Sequence, residues 1–260
     1  MTVQPRKDTL EHSHHPDEIA ERLKASTRHS YLRDFVYGAT DGVVTTFAIV
    51  SGVAGAKLGT DVIILLGAAN LVADGFSMAA SNYLGTKTDE QVRHKTREME
   101  VSHIEKDPEG EREEIRQIFA AKGFQGEDLE KAVEIITDNQ EQWVNTMLVD
   151  EHGLTLEGPS PVKAALTTFW AFVAIGLLPL LPFLLSAFSN GIAAESKPIL
   201  YLWSTAMTGV AFFLVGAGKS IFVKQSWIRS GMETLIIGSV AASIAYLIGY
   251  ALHALTGTGG

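Results

Sequence analysis

The sequence predicts an all-α integral membrane protein, with five transmembrane helices and a charged three-helix insert between the second and third. Three observations lead there. Five runs, residues 35–56, 62–84, 162–185, 199–223 and 232–255, are nearly free of charge. Each is close to the ~20 apolar residues that a hydrocarbon layer of roughly 30 Å requires. Residues 87–157 are instead crowded with Glu, Asp, Lys and Arg, so the mean hydropathy of +0.14 averages two unlike populations. Finally, basic residues flank the runs on alternate sides, the pattern that fixes membrane topology.

Taken in order, residues 1–33 form a polar segment containing His12, His14 and His15. It has no apolar core of a signal peptide, so the amino terminus is expected to be retained and cytoplasmic. The three histidines are left without a role. Residues 34–86 hold the first two spans, separated by the tight turn Lys57-Leu58-Gly59-Thr60-Asp61. Small residues such as Gly38 with Gly42, and Gly55 with Gly59, allow close helix packing and dimerisation. Residues 161–260 hold the last three spans. Pro179 and Pro182 interrupt the third, a kink that neighbouring helices must repair by satisfying the freed carbonyls. Breaks at Ser189-Asn190-Gly191 through Ser196-Lys197-Pro198, and at 224–231, separate the others.

Arg22, Lys24, Arg28 and Arg33 precede the first span, and Lys87, Arg93, Lys95 and Arg97 follow the second. Lys163, Lys219, Lys224 and Arg229 continue the same side, whereas the other side holds only Lys57 and Lys197. This predicts a multi-pass protein with the amino terminus and the insert in the cytoplasm and the carboxyl terminus opposite; in a bacterium the membrane is the cell membrane. The net charge of −9 excludes nucleic acid as a partner, which needs a basic stripe, and suits a collector of cations. The absence of cysteine excludes thiolate sites, so any metal must be held by oxygen, imidazole or thioether.

Residues 87–160 read as a compact helical module. Its first helix continues the second span through Arg93 and Glu100 toward Ile104. Asp107-Pro108 restarts the chain, with Asp as N-cap and Pro at the first helical position. Ile115, Ile118 and Phe119 form an apolar stripe, and Gly123 ends that helix. A third helix after Gly126 buries Leu129, Val133, Ile136, Val144 and Met147 on one face and stops at Gly153. Ligand types recur at neighbour spacing: Glu100 with His103, Glu111 with Glu114, Met147 with Glu151. Such pairs fit a cation site for Fe²⁺, Mn²⁺ or Zn²⁺, and they equally fit a solvated face. Glu98, Glu105, Glu113 and His152 lie close by and leave the ligand choice open.

The spans carry a sharper signal. Asp41 lies about six residues into the first, in Tyr37-Gly38-Ala39-Thr40-Asp41-Gly42, and Asp74 lies midway through the second. A carboxylate near the bilayer centre costs roughly 2.5–3.5 kcal/mol on insertion scales, so two of them need a reason. Asn70, Asp74 and Met78 recur every four residues and share one face; Asp41 and Thr45 form a polar face on the first span. If the faces meet, they form an oxygen-and-sulfur site at which proton affinity is raised when no metal is bound. Exchange of protons for metal is then a natural mechanism.

Asp41-Gly42-Val43-Val44-Thr45-Thr46, the stretch Asn70-Leu71-Val72-Ala73-Asp74-Gly75-Phe76-Ser77-Met78 and the charged insert together resemble the vacuolar iron transporter family, from about Ser30 to the end. The resemblance implies a non-enzymatic homodimer that exchanges cytosolic Fe²⁺ for protons and gathers metal on a cytosolic helical domain. It puts the family's membrane aspartate and methionine on Asp41 and Met78. The cytosolic ligands fall on Glu100, Glu111, Glu114, Met147 and Glu151. His103 stands where plant members carry glutamate, and Asn70 and Asp74 also differ from the plant pattern. The expected function is Fe²⁺ export or sequestration, with a Mn²⁺-preferring exporter as the alternative and no organic cofactor. Two further rivals are a membrane-bound di-iron oxidase, for which the sequence offers one Glu-x-x-His element where two are needed, and a metal sensor.

Overall fold

A computed structural model describes residues 14–25, 29–188, 197–223 and 225–256. His12, Arg28, the 189–196 connection and Lys224 lie outside them. All regular structure among the described residues is helical: α1 Pro16–Ala25, α2 Leu32–Gly55, α3 Thr60–Lys106, α4 Pro108–Ala121, α5 Gly126–Thr137, α6 Gln140–Thr146, α7 Pro161–Gly176, α8 Leu181–Phe188, α9 Lys197–Val223 and α10 Trp227–Thr256. Five stretches are long and apolar enough to cross a membrane: Leu32–Gly55, the start of Thr60–Lys106, Pro161–Phe188, Pro198–Ser220 and Trp227–Thr256. The chain divides into two compact units. Tyr31–Gln91 with Ser160–Gly260 form one; Val92–Pro159 with the described part of Met1–Ser30 form the other.

In the first unit α2 is the central helix, packed against α7, α9 and α10. Small residues permit the approach. A Cβ on Gly42 would run into the Phe172 backbone of α7, and one on Gly55 into the Tyr246 backbone of α10. Gly59 meets only Asp61 of its own turn, so of the two predicted glycine pairs only Gly38–Gly42 is used as a pair. The turn itself closes by Lys57 N–H to Ala54 O and Leu58 N–H to Val53 O, both 3.1 Å. Lys57 sits in the left-handed region at φ 55°, which satisfies the last carbonyls of α2.

Val50, Val53, Ile63, Leu71, Phe172, Leu180 and Phe183 form the main apolar cluster. Outward, Leu65, Val72 and Phe76 of α3, Trp170 of α7 and Val240 and Ile244 of α10 are exposed. Such faces suit lipid tails and not water. The third span is broken where its prolines predict. α7 ends at Gly176, a tight 3₁₀ turn spans Leu178–Leu180, and α8 resumes at Leu181. Ser204 of α9 donates to the Pro179 carbonyl at 2.7 Å, supplying the repair.

The second unit is built from the end of α3 with α4, α5 and α6 around Ile104, Ile115, Val133, Trp143, Val144, Met147 and Leu148. Asp107 caps α4 by accepting from Gly110 N–H at 3.1 Å, with Pro108 at the first helical position. Gly123, at φ 100°, follows its end. The single helix expected from Gly126 to Gly153 is divided. Asn139 turns its side chain onto Gln142 N–H at 3.1 Å and starts α6; Asn competes with the helical backbone in this way. Beyond α6 the chain widens into one π turn, Met147–Glu151, closed by His152 N–H to Met147 O at 3.2 Å.

Candidate functional site

Among the described residues, ligand-type side chains gather in both units. In the membrane unit α2 begins at Leu32, one turn before the apolar run, so Asp41 is its tenth residue. The extra turn is stabilised because Asn82 of α3 donates to Asp34 Oδ1 at 2.8 Å. Asp41 is half-buried and within electrostatic range of Asp74. Asn70 links the two helices. Its side-chain oxygen accepts from Thr46 at 3.3 Å and lies 3.3 Å from the Thr45 hydroxyl. Its amide donates to the Asp74 carboxylate one turn on. The Thr45 hydroxyl donates back to the Asp41 carbonyl at 2.8 Å. Asp41, Thr45, Asn70 and Asp74 thus meet in one oxygen-rich patch within otherwise apolar spans.

Met78 packs against the main apolar cluster of this unit, one helical turn beyond Asp74. A further turn along the same stripe, Asn82 contacts Thr168 of α7 at 2.8 Å as well as Asp34, and Thr86 lies 3.5 Å from its side-chain oxygen. The sequence reading missed this second knot, although continuing the fourfold series Asn70, Asp74, Met78 by one step reaches Asn82. Asp74 is exposed on the single chain, on the face of α3 it shares with Asn70, whereas the exposed Val72 and Phe76 lie on the opposite side of the helix.

The second unit brings Glu100, His103 and Glu111 together, and also Glu100, Glu151 and His152; in each trio, one ligand atom per residue lies within 4.8 Å of the others. His103 Nδ1 is 3.4 Å from Glu111 Oε1, and His152 Nε2 is 2.9 Å from Glu100 Oε1 and 3.5 Å from Glu151 Oε2. Glu100 and Glu111 are both buried, and Oε2 of each lacks a hydrogen-bond donor. The two carboxyls touch each other instead, an arrangement that needs a bridging proton or cation. Burial, then the neighbouring Glu114 and Glu100 charges, push the Glu111 carboxyl up to about 7, against a smaller opposing pull from His103. Burial chiefly raises Glu151 as well, with Glu114 and Glu100 contributing.

Of the expected ligands, Glu114 is exposed but within electrostatic reach of Glu111 and Glu151. Met147 is fully buried in the apolar core while Glu151 is 40 % exposed, so the thioether lies on the core side of the pair. The chain between them is a π turn, Met147–Glu151, which holds more residues per turn than an α-helix. His152 was only noted beside the expected ligands, and it is the residue this turn carries to Glu100. Outside the cluster Gln117 first and then Arg116 hold the Glu113 carboxyl below its ordinary range, and Arg116 does the same for Glu130, in one surface network.

A family model described as the VIT family matches residues 32–250. The chain is 32% identical over 235 residues to the Vacuolar iron transporter of Toxoplasma gondii, covering 89% of this chain and 78% of that protein. It is 30% identical over 253 residues to Vacuolar iron transporter 1 of Arabidopsis thaliana, covering 95% and 94%. It is 28% identical over 259 residues to the Vacuolar iron transporter of Plasmodium berghei, covering 98% and 93%.

Proposed function

Since the chain belongs to the VIT family, we propose that it is a metal transporter, not an enzyme, that moves ferrous iron out of the cytoplasm in exchange for protons. The observation that carries this reading is the joining of Asp41 on α2 to Asp74 on α3 through Asn70 and its threonine contacts. Two carboxylates set together inside apolar spans are costly unless a cation or proton shares them. Met78 adds a thioether one turn away, which shifts the preference from Mg²⁺ and Ca²⁺ toward Fe²⁺. The metal enters carrying positive charge, displaces the proton that neutralises the pair, and leaves when protons return from the far side. Mn²⁺ is the second substrate, since the oxygen donors serve it equally.

Residues 87–160 act in this reading as the cytosolic metal-gathering domain, with Glu100, His103, Glu111, Glu114 and Glu151 as its ligands and Met147, from its buried place in the apolar core, as the soft donor; residues 34–86 and 161–260 form the pathway. The orientation rests on the basic flanks. Arg33 over Tyr37, and Lys87 over Tyr83, lie at one end of α2 and α3, a pairing suited to the headgroup layer. Asp74 faces out of the single chain, so a second copy that covers α3 spares it from lipid; the working unit is a homodimer.

Reconstitution into liposomes with an acidic interior and an iron-sensitive dye inside tests the reading. Fe²⁺ uptake is expected to need the proton gradient and to fall to background in Asp41→Ala. Uptake indifferent to the gradient overturns exchange, and oxygen consumption without uptake points to an oxidase.

A further inference from the structure

The cluster in the second unit contains an imidazole that neither the fourfold spacing nor the family resemblance assigns. We infer that His152 is a metal ligand, closing a second cation position with Glu100 and Glu151, and that it tunes the insert toward borderline cations such as Zn²⁺ over Mn²⁺. The inference rests on the insert being a metal-binding domain, as proposed above, and goes beyond it in naming the ligand and the preference. Three observations carry it. His152 Nε2 stands 2.9 Å from Glu100 Oε1 and 3.5 Å from Glu151 Oε2, so one ring nitrogen already points between two carboxylates. Glu100 is 2 % exposed, and its second oxygen is buried without a donor, the condition of a group waiting for a positive partner. Glu100 also belongs to the trio with His103 and Glu111. Its two oxygens can therefore serve two positions, each completed by one imidazole.

The π turn makes this possible. It places Glu151 and His152, adjacent in sequence, against the same carboxylate, and π turns recur at functional sites. The plain alternative is that His152 is a hydrogen-bond partner that satisfies Glu100 Oε1. That reading accounts for Glu100 Oε1 but not for Glu151 Oε2 standing 3.5 Å from the same ring nitrogen. Two imidazoles among carboxylates suit Zn²⁺, Fe²⁺, Co²⁺ and Ni²⁺, whereas an all-oxygen set favours Mn²⁺ and Mg²⁺.

The test is equilibrium binding of Zn²⁺ and of Mn²⁺ to the full-length protein in detergent, in a background with His12, His14 and His15 changed to Ala so that terminal imidazoles do not add to the signal. Changing His152→Gln keeps a hydrogen bond to Glu100 but removes a good ligand. Zn²⁺ affinity is expected to fall on the order of 10–100-fold with Mn²⁺ changed less than about threefold, as loss of one nitrogen donor predicts. His152→Glu, which substitutes an oxygen ligand, is expected to lower the Zn²⁺-to-Mn²⁺ affinity ratio while keeping tight Mn²⁺ binding, and it decides the matter if the Gln variant melts early. Zn²⁺ and Mn²⁺ isotherms in both variants that superimpose on the parent overturn the inference. A parent protein that binds neither metal overturns the insert's proposed role itself, and the two failures are thereby distinct.

Discussion

Asn82 of α3 donates to Oδ1 of Asp34 on α2 at 2.8 Å and touches the Thr168 hydroxyl of α7 at the same distance. One amide thus holds three helices at the end of the membrane unit where Arg33 and Lys87 lie over Tyr37 and Tyr83. Asn82→Leu is expected to leave the half-buried Asp34 carboxylate without its donor, costing about 1–3 kcal/mol. Thermal melting in detergent checks this. Asn82→Asp is worse near neutral pH, because it sets two carboxylates face to face, and recovers as acid neutralises one of them. A melting temperature that ignores pH in the Asp variant contradicts the contact.

Asn70 is expected to matter to rate more than to stability. Its oxygen accepts from Thr46 and its amide donates to Asp74, so it fixes where the second carboxylate stands relative to Asp41. Asn70→Leu removes a hydrogen bond to a charged group, worth about 1.5–3 kcal/mol. If that energy positions the pathway, Fe²⁺ uptake slows on the order of 10–100-fold. Asn70→Asp keeps the acceptor but adds a third carboxylate, so uptake is retained and its optimum moves to higher pH. Liposome uptake profiles between pH 5 and 8 separate these outcomes.

The sign of the pH dependence at the insert follows from Glu111. Its carboxyl is raised from 4.5 to about 7, first by burial and then by Glu114 and Glu100. Between those two values the folded protein holds a proton that the unfolded chain has released, so this group's contribution to stability is full below 4.5 and is lost as pH rises through 7. Cation binding runs the other way. Below about 7 a metal must displace that proton, and affinity is expected to climb by up to about tenfold per pH unit until about 7 and then flatten. Glu111→Gln is expected to remove this pH-dependent loss of stability between 4.5 and 7 and to flatten the corresponding rise in affinity. Melting curves and Zn²⁺ titrations from pH 5 to 8 read both signs.

Local signals that involve few partners were legible in the sequence. The spans were visible because lipid demands an uninterrupted apolar run. The Asp107-Pro108 start of α4 was visible because a cap and its first turn are written in four residues. The broken third span followed from Pro179 and Pro182. The break at Asn139 was less visible, because Val133, Val144 and Met147 fit one helical stripe and only a local side-chain bond decides against continuity. Neither His152 nor Asn82 was assigned a role. His152 depends on a π turn that shifts the register by a fraction of a residue. Asn82 depends on Asp34 and Thr168, partners 48 and 86 residues away, which no spacing rule joins.

The outward face of α3 gives the last prediction. Val72 and Phe76 are 66% and 68% exposed on the single chain, and Asp74, two residues from each and so roughly 200° round the helix from them, is exposed as well. Lipid accepts the two apolar residues readily but charges roughly 2.5–3.5 kcal/mol for the carboxylate. A second copy packed on the face of α3 that carries Asp74 removes that cost and encloses the patch formed by Asp41, Asn70 and Asp74. The chain contains no cysteine, so single substitutions report cleanly. Ser77→Cys or Ser81→Cys, at exposed positions three and seven residues on from Asp74 and so on its face of the helix, is expected on oxidation in native membranes to yield a cross-linked species of twice the mass on a non-reducing gel. Leu214→Cys, on the exposed outer side of α9, is expected to remain monomeric. Cross-linking at α9 in place of α3 moves the interface and leaves Asp74 to lipid, which contradicts a shared pathway. Asp74→Leu supplies the matching energetic test, because a dimer that stays intact while Fe²⁺ uptake is lost assigns the carboxylate to transport and not to assembly.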